Sequence, residues 1–320
     1  MLSTLFCLAV LHPAQDSPVQ LARVFHQGEK DQYVVKAALQ VETRPYGLQT
    51  FLPQDVDISY KFNTEVKAMK ADGICEMEYH RPTITQVEGE TANTPPRTTV
   101  EKLNMNALLT VSPINEILQM KDLNPPKKDK GGGGRSSLAL TKRGTRRSAV
   151  QDIGQFIGEV FRLSAFVGGF DSGLDFNPKL PYDAVKVGET WKRTVGYSPQ
   201  KMGATGKSAV QRLDYLYTYK GLVDVEGQKF QRVTVDLKLD TDVADYINQI
   251  YGKEQTGLRG IKLKLNGSID FDLDPKSFKT IRAVAKSEAS VSIEVTEVPS
   301  EPVQEQHIKG TTTMSLIASK

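Results

Sequence analysis

Four clusters in this 320-residue chain have residue types and spacings that chemistry uses. Cys75 and His80 would suit a thiol nucleophile and its base, but a pair of that kind must lie within hydrogen-bond reach. Five positions apart in an alternating stretch, they point to opposite faces of a strand, which predicts a buried cysteine and an exposed histidine. Glu76, Glu78 and His80 do share a face, at about 6.6–7 Å per step. They would hold a metal only with ligands from neighbouring strands, and they read as a solvated strand face. Asp270, Asp272 and Asp274 copy the opening of a calcium loop, yet Pro275 and Ile281 stand where that loop needs Gly and Glu. These aspartates therefore read as the polar face of a strand. Gly131–Gly134 before Arg135-Ser136-Ser137 lacks the Gly-Lys-Ser/Thr ending of a phosphate loop and any strand before it, so it reads as linker.

Two further groups are candidates for binding. Tyr215, Tyr217 and Tyr219 form an aromatic stripe. With Trp191, the single tryptophan, they either line an apolar ligand cavity or fill a core, which half-buried strand aromatics commonly do. Lys142, Arg143, Arg146 and Arg147 could touch an anionic surface weakly, through charge alone. No catalytic residue, metal ligand or cofactor site is assigned.

The elements that would carry these residues are strands. Tyr33, Val35, Ala37, Leu39 and Val41 alternate with polar neighbours, as do Ile58, Tyr60, Phe62, Thr64, Val66 and Ala68. Such period-2 patterns belong to half-buried antiparallel strands. Lys70-Ala71-Asp72-Gly73 and Val225-Glu226-Gly227-Gln228 read as turns. Pro82 demotes the end of its strand to an edge or a bulge. Asn266-Gly267 is the usual hairpin dipeptide. A hairpin there would set Ile261, Leu263 and Leu265 opposite Ser268, Asp270 and Asp272, whereas one continuous strand keeps every apolar residue from Ile261 to Leu273 on one face. Burial of one face outweighs the dipeptide, so a single strand is expected, with Gly267 as the place for a bulge. Two helices are expected. Ala149–Phe166 carries apolar residues around more than one stripe and should be buried on the sheet, and Asp242–Tyr251 is capped by Thr241.

Composition bounds the function classes. Hydrophobic residues are 39% and charged residues 25%, which excludes wholesale disorder. Two cysteines and four scattered histidines exclude a disulfide framework and a cysteine zinc site. Residues 121–147 hold nine cationic residues against Asp122 and Asp129, a net +7 that leaves the rest of the chain at −4 within a total of +3. The basicity belongs to one segment, so no nucleic-acid partner is expected. Leu2–Leu11 is an apolar run of signal-peptide length, followed by Ala14 at a plausible cleavage point but lacking a basic start. No apolar run reaches the ~20 residues that span a bilayer.

Leu180–Lys192 (LPYDAVKVGETWK), Tyr217–Leu222 and Gly267–Leu273 together resemble a family of uncharacterised secreted bacterial β-rich proteins. In that family a Pro…Val-x-x-Gly-Asp-x-Trp element opens the second half after a helix. Glu189 replaces the usual Asp, and the basic Gly-rich segment is an insertion. The resemblance implies export and a β-rich fold, and it supplies no activity. The expected architecture is mainly β (α+β): a large curved antiparallel sheet or half-barrel from two similar halves, with one buried and one short helix. The expected boundaries are a signal peptide at 1–14, a first β half at 19–120, a flexible linker at 121–147, a helix at 148–169 and a second β half at 180–320. The leading functional expectation is an exported cell-envelope protein, periplasmic or secreted, with a non-enzymatic binding or structural role. The alternatives are a carrier of a lipid or other apolar small molecule in a half-barrel cavity, and a hydrolase whose site is assembled from distant residues.

Overall fold

The computed structural model describes residues 17–91, 95–124, 177–197, 211–245, 257–298 and 300–320. Among the described residues eleven strands form one antiparallel sheet: β1 (Lys30–Pro45), β2 (Leu52–Met69), β3 (Cys75–Glu88), β4 (Arg97–Val111), β5 (Ile117–Asp122), β6 (Thr190–Tyr197), β7 (Gln211–Val225), β8 (Gln228–Asp242), β9 (Leu258–Leu273), β10 (Thr280–Val295) and β11 (Gln304–Ser319). The order is β5-β4-β3-β2-β1-β11-β10-β9-β8-β7-β6. Within β1–β5 and within β6–β11 sequence neighbours pair, and the pairing of β1 with β11 fuses the two strand sets into a continuous sheet.

The alternation becomes a two-faced sheet. Tyr33, Val35, Ala37, Leu39 and Val41 are buried on β1, as are Val56, Ile58, Tyr60, Phe62 and Val66 on β2. One contiguous core cluster extends across this face from Leu109 on β4 to Tyr217 on β7. Tyr33, Phe62 and Tyr79 stack across three strands, with centroids 4.9 and 5.3 Å apart. Offset ring contacts of this kind add to the area term.

The turns form where the sequence places them. Asp72 and Gly73 take φ of 57° and 71°, and Glu226 and Gly227 take 54° and 81°. Glu226-Gly227, a two-residue loop between paired Val225 and Gln228, has the type I′ geometry that matches strand twist, whereas Asp72 and Gly73 end a 3-10 turn, Ala71–Gly73, inside a five-residue loop. Ile261–Leu273 is one strand, its pairing with β10 running unbroken through Gly267↔Ser287, so the expected bulge at Gly267 is absent. Pro82 lies inside the sheet rather than at an edge, and the register slips beside it, between Arg81 and Thr83. The bulge removes the ladder bond that proline cannot make.

The helix expectations meet a different outcome. Ala149–Phe166 and the linker 121–147 beyond residue 124 lie outside the described residues, as does the 1–14 segment. Thr241 and Asp242 are still strand, so Thr241 is not the cap. Asp242 Oδ1 instead accepts from Ala244 N at 2.9 Å and Ile261 N at 3.0 Å, and helix follows at Ala244 and Asp245; positions 246–256 lie outside the described residues. The aspartate, one residue nearer the helix and with its oxygen one atom further from Cβ than a threonine hydroxyl, reaches both amides at once.

Two segments close one end of the sheet. Residues 17–29 run from a bridge between Val19 and Val185, past the Pro113 and Ser277 carbonyls, to Val66. Residues 177–189 cross beside them through that bridge, and Leu180 and Leu21 are both completely buried. Lys179 holds both flanks of the sheet together. Its ammonium donates to the Asn115 carbonyl in the β4–β5 turn, while its own carbonyl accepts from Trp191 Nε1 on β6 at 2.8 Å. β4 and β6 stand almost at opposite edges of the sheet, so the sheet must curve until its flanks meet at this end.

Candidate functional site

The sequence-selected residues are not brought together. Cys75 is buried and His80 half-buried on alternate faces of β3, and burial pushes the Cys75 thiol up to about 12. A thiol held protonated is no nucleophile. Glu76 pairs with Lys70 at 2.7 Å and Glu78 with Lys67 at 2.9 Å, so lysines occupy the carboxylates that a metal would use. Among the described residues no three metal-ligating side chains cluster.

Asp272 departs from the expected solvated face, being 1% exposed. Arg232 on β8 grips it through Nε and Nη2, at 2.7 and 3.1 Å. Arg282 on β10 adds two bonds at 3.0 and 2.7 Å. Two planar guanidinium forks satisfy the carboxylate and shield it from water. Asp274 caps the β9–β10 turn by accepting from the Lys276 amide and from the Ser277 amide and hydroxyl. Burial opposes its ionisation, but those donors prevail and hold its pKa below the ordinary value.

Tyr215, Tyr217 and Tyr219 are fully buried on the apolar face. Trp191 stacks on Tyr217 with centroids 5.4 Å apart and planes 10° apart. Tyr219 donates to Gln231 Oε1 at 2.6 Å, and burial pushes its phenol pKa up, as it does that of Tyr217. These rings pack the flank where Lys179 closes the sheet. Lys142, Arg143, Arg146, Arg147 and Gly131–Gly134 lie outside the described residues.

Sequence reasoning missed a groove of about 1170 Å³ on the polar face. It crosses eight adjacent strands, from β2 to β6, a length of about 34 Å at ~4.8 Å per strand. The register builds its two walls. One row runs Asp57, Ala38, Thr311, Lys286, Ser268, Asp236, Leu216, Lys192. The other runs Asp55, Gln40, Lys309, Glu288, Asn266, Lys238, Asp214. Between them the floor is backbone, from Leu39 through Gly310, Ser287 and Gly267 to Leu237. Four lysines face five carboxylates, so the groove is nearly neutral. Lys309 pairs with Glu288 at 2.9 Å, and Thr194 donates to Asp214 at 2.7 Å. The five central strands, β1, β11, β10, β9 and β8, each offer both donors and acceptors, while β2 and β7 offer carboxylates and β6 a lysine.

No protein-family model matches the chain, and no curated protein matches it in sequence. In fold it is similar to a lipovitellin structure determined for its lipid–protein interactions, at 10% identity and a TM-score of 0.42. That match covers 92% of this chain and 26% of the lipovitellin chain, so this chain spans about a quarter of its length. It is also similar to DynF from the dynemicin biosynthesis pathway of Micromonospora chersina, at 8% identity and a TM-score of 0.22, over 98% of this chain and 92% of that one. At such scores neither likeness bears on function. Among the described residues no helix is long and apolar enough to cross a membrane.

Proposed function

We propose that this chain is an exported, non-enzymatic binding protein of the bacterial envelope, and that the polar groove holds an extended neutral glycan chain. The observation that carries the reading is the groove itself: two parallel rows of amide, hydroxyl and oppositely charged side chains along about 34 Å of sheet. Its near-neutral lining disfavours a polyanion, which needs a surplus of cations. A polyhydroxylated chain matches it, because every hydroxyl both donates and accepts and finds both kinds of partner along the five central strands, β1, β11, β10, β9 and β8. Export rests on the apolar Leu2–Leu11 run and on the resemblance of the Leu180–Lys192 element to secreted proteins. The apolar-carrier alternative would place its ligand on the opposite face, where Tyr215, Tyr217 and Leu237 are already buried.

Calorimetric titration with neutral oligosaccharides of increasing length tests the reading. Affinity should rise with length until the groove is filled. The double substitution Asp236→Ala/Asn266→Ala should weaken binding at least tenfold while the thermal midpoint holds. Unchanged binding in that variant would overturn the reading. So would preference for a peptide over every glycan, or release of reducing sugar ends, which would restore the hydrolase.

A further inference from the structure

The β1–β2 hairpin ends in an uncharged tip. From Pro45 to Gln54 ten consecutive residues carry no charge, in a chain that is 25% charged. Tyr46, Leu48 and Leu52 are 56%, 42% and 46% exposed there. The tip is built rather than loose. Tyr46 N donates to the Val303 carbonyl at 2.9 Å, and Leu48 N donates to the Pro45 carbonyl at 3.2 Å, with Gly47 at a φ of 81°. Phe51 anchors the base, stacked on His307 at 4.6 Å and lying 5.4 Å beneath the Arg44 guanidinium, which is itself paired with Glu305. A rigid base holds the three exposed side chains outward with little freedom left to lose.

We infer that this tip docks the protein on the surface of a lipid bilayer. The chemistry is that of the membrane interface: an amphipathic tyrosine and two leucines at the front of an uncharged tip. The area argues against a protein partner. The three side chains expose together about 300 Å², at ~200 Å² each, well short of the ~800 Å² per partner of a stable protein interface. A bilayer needs no matching surface, so a small insertion suffices. Arg44 is spent on Glu305, so attraction to anionic lipid is not required. The tip lies outside the groove, and the inference stands whether or not the groove binds glycan.

The test is co-sedimentation of the full chain with phosphatidylcholine vesicles, in low salt and in about 0.5 M salt, where the Debye length falls to a few ångströms. Binding should survive the salt. The triple variant Tyr46→Ser/Leu48→Ser/Leu52→Ser, with an unchanged thermal midpoint, should lose at least tenfold in partition coefficient. In a Leu48→Trp variant the tryptophan emission should shift to the blue on adding vesicles. Failure of the wild-type chain to bind neutral vesicles would overturn the inference. Equal binding by the triple variant, or binding only to anionic vesicles at low salt, would overturn it too and assign the contact to the basic segment around Arg143. A blue shift that follows protein concentration without vesicles would assign the tip to a second copy of the chain.

Discussion

Gly310 sits at the seam of the sheet, opposite Leu39 on β1 and Ser287 on β10. The site needs space, since its φ is one that any residue adopts. A Cβ there would lie 2.3 Å from the Ala38 carbonyl oxygen, 2.5 Å from Leu39 Cδ2 and 3.0 Å from Leu39 Cα. Heavy-atom contacts are optimal near 3.5–4.0 Å, so Gly310→Ala demands a shift of about 1 Å. The leucine methyl can rotate aside, but the carbonyl belongs to the β1–β11 ladder and cannot move alone. Overpacking typically costs about 1–3 kcal/mol, and a backbone clash belongs at the upper end, about 3 kcal/mol. For a chain of 320 residues that lowers the thermal midpoint by roughly 4–5 °C. Circular dichroism melts of Gly310→Ala, Leu39→Ala and the double variant measure it. Because the oxygen sets the cost, the coupling between the two substitutions should stay within about 1 kcal/mol. A midpoint unchanged in Gly310→Ala, or recovery of stability in the double variant, would refute the close approach at the seam.

Three further outcomes follow from buried groups. Lys279 Nζ lies 2.7 Å from Glu29 and 2.9 Å from Asp31, all largely buried; Lys279→Met should leave Asp31 without its cation, while Glu29 keeps Arg23, and cost about 3 kcal/mol in urea unfolding, whereas a loss under 1 kcal/mol would mean that water already screens the carboxylate. Asp274 has its pKa lowered on folding, so its contribution is present above the ordinary carboxylate value near 4 and disappears as pH falls through its folded value; the stability gap between wild type and Asp274→Ala should therefore hold above a pH of about 4 and narrow progressively below it, and a constant gap down to acid unfolding would contradict the turn geometry. Cys75, with its thiol pushed up to about 12 by burial, should resist iodoacetamide at pH 8 until the chain unfolds, as peptide mass mapping would show; rapid native labelling would mean that the strand opens.

The strands and their turns could be read directly, because their causes are local. Parity alone assigned the buried face of β1, β2 and β9, and the Asp72-Gly73 and Glu226-Gly227 dipeptides fixed two reversals through their tolerance of positive φ. Parity even outweighed the hairpin dipeptide at Asn266-Gly267, since a reversal there would have exposed half of an apolar face. What the pattern could not contain was the neighbour of each polar residue. Gln40 faces Lys309, and Arg44 reaches Glu305 across 261 residues, only because β1 pairs with β11 in one register. Asp272 looked like a solvated carboxylate until Arg232, 40 residues away, and Arg282 closed over it. The groove is the same kind of fact. Its walls are rows across eight strands, and each row draws at most one residue from any strand, so no window of the sequence holds more than a fragment of it. Side-chain alternation depends on adjacent residues and survives in one dimension; cross-strand alignment, and the curvature that lets Lys179 join both flanks, exist only once distant strands have paired.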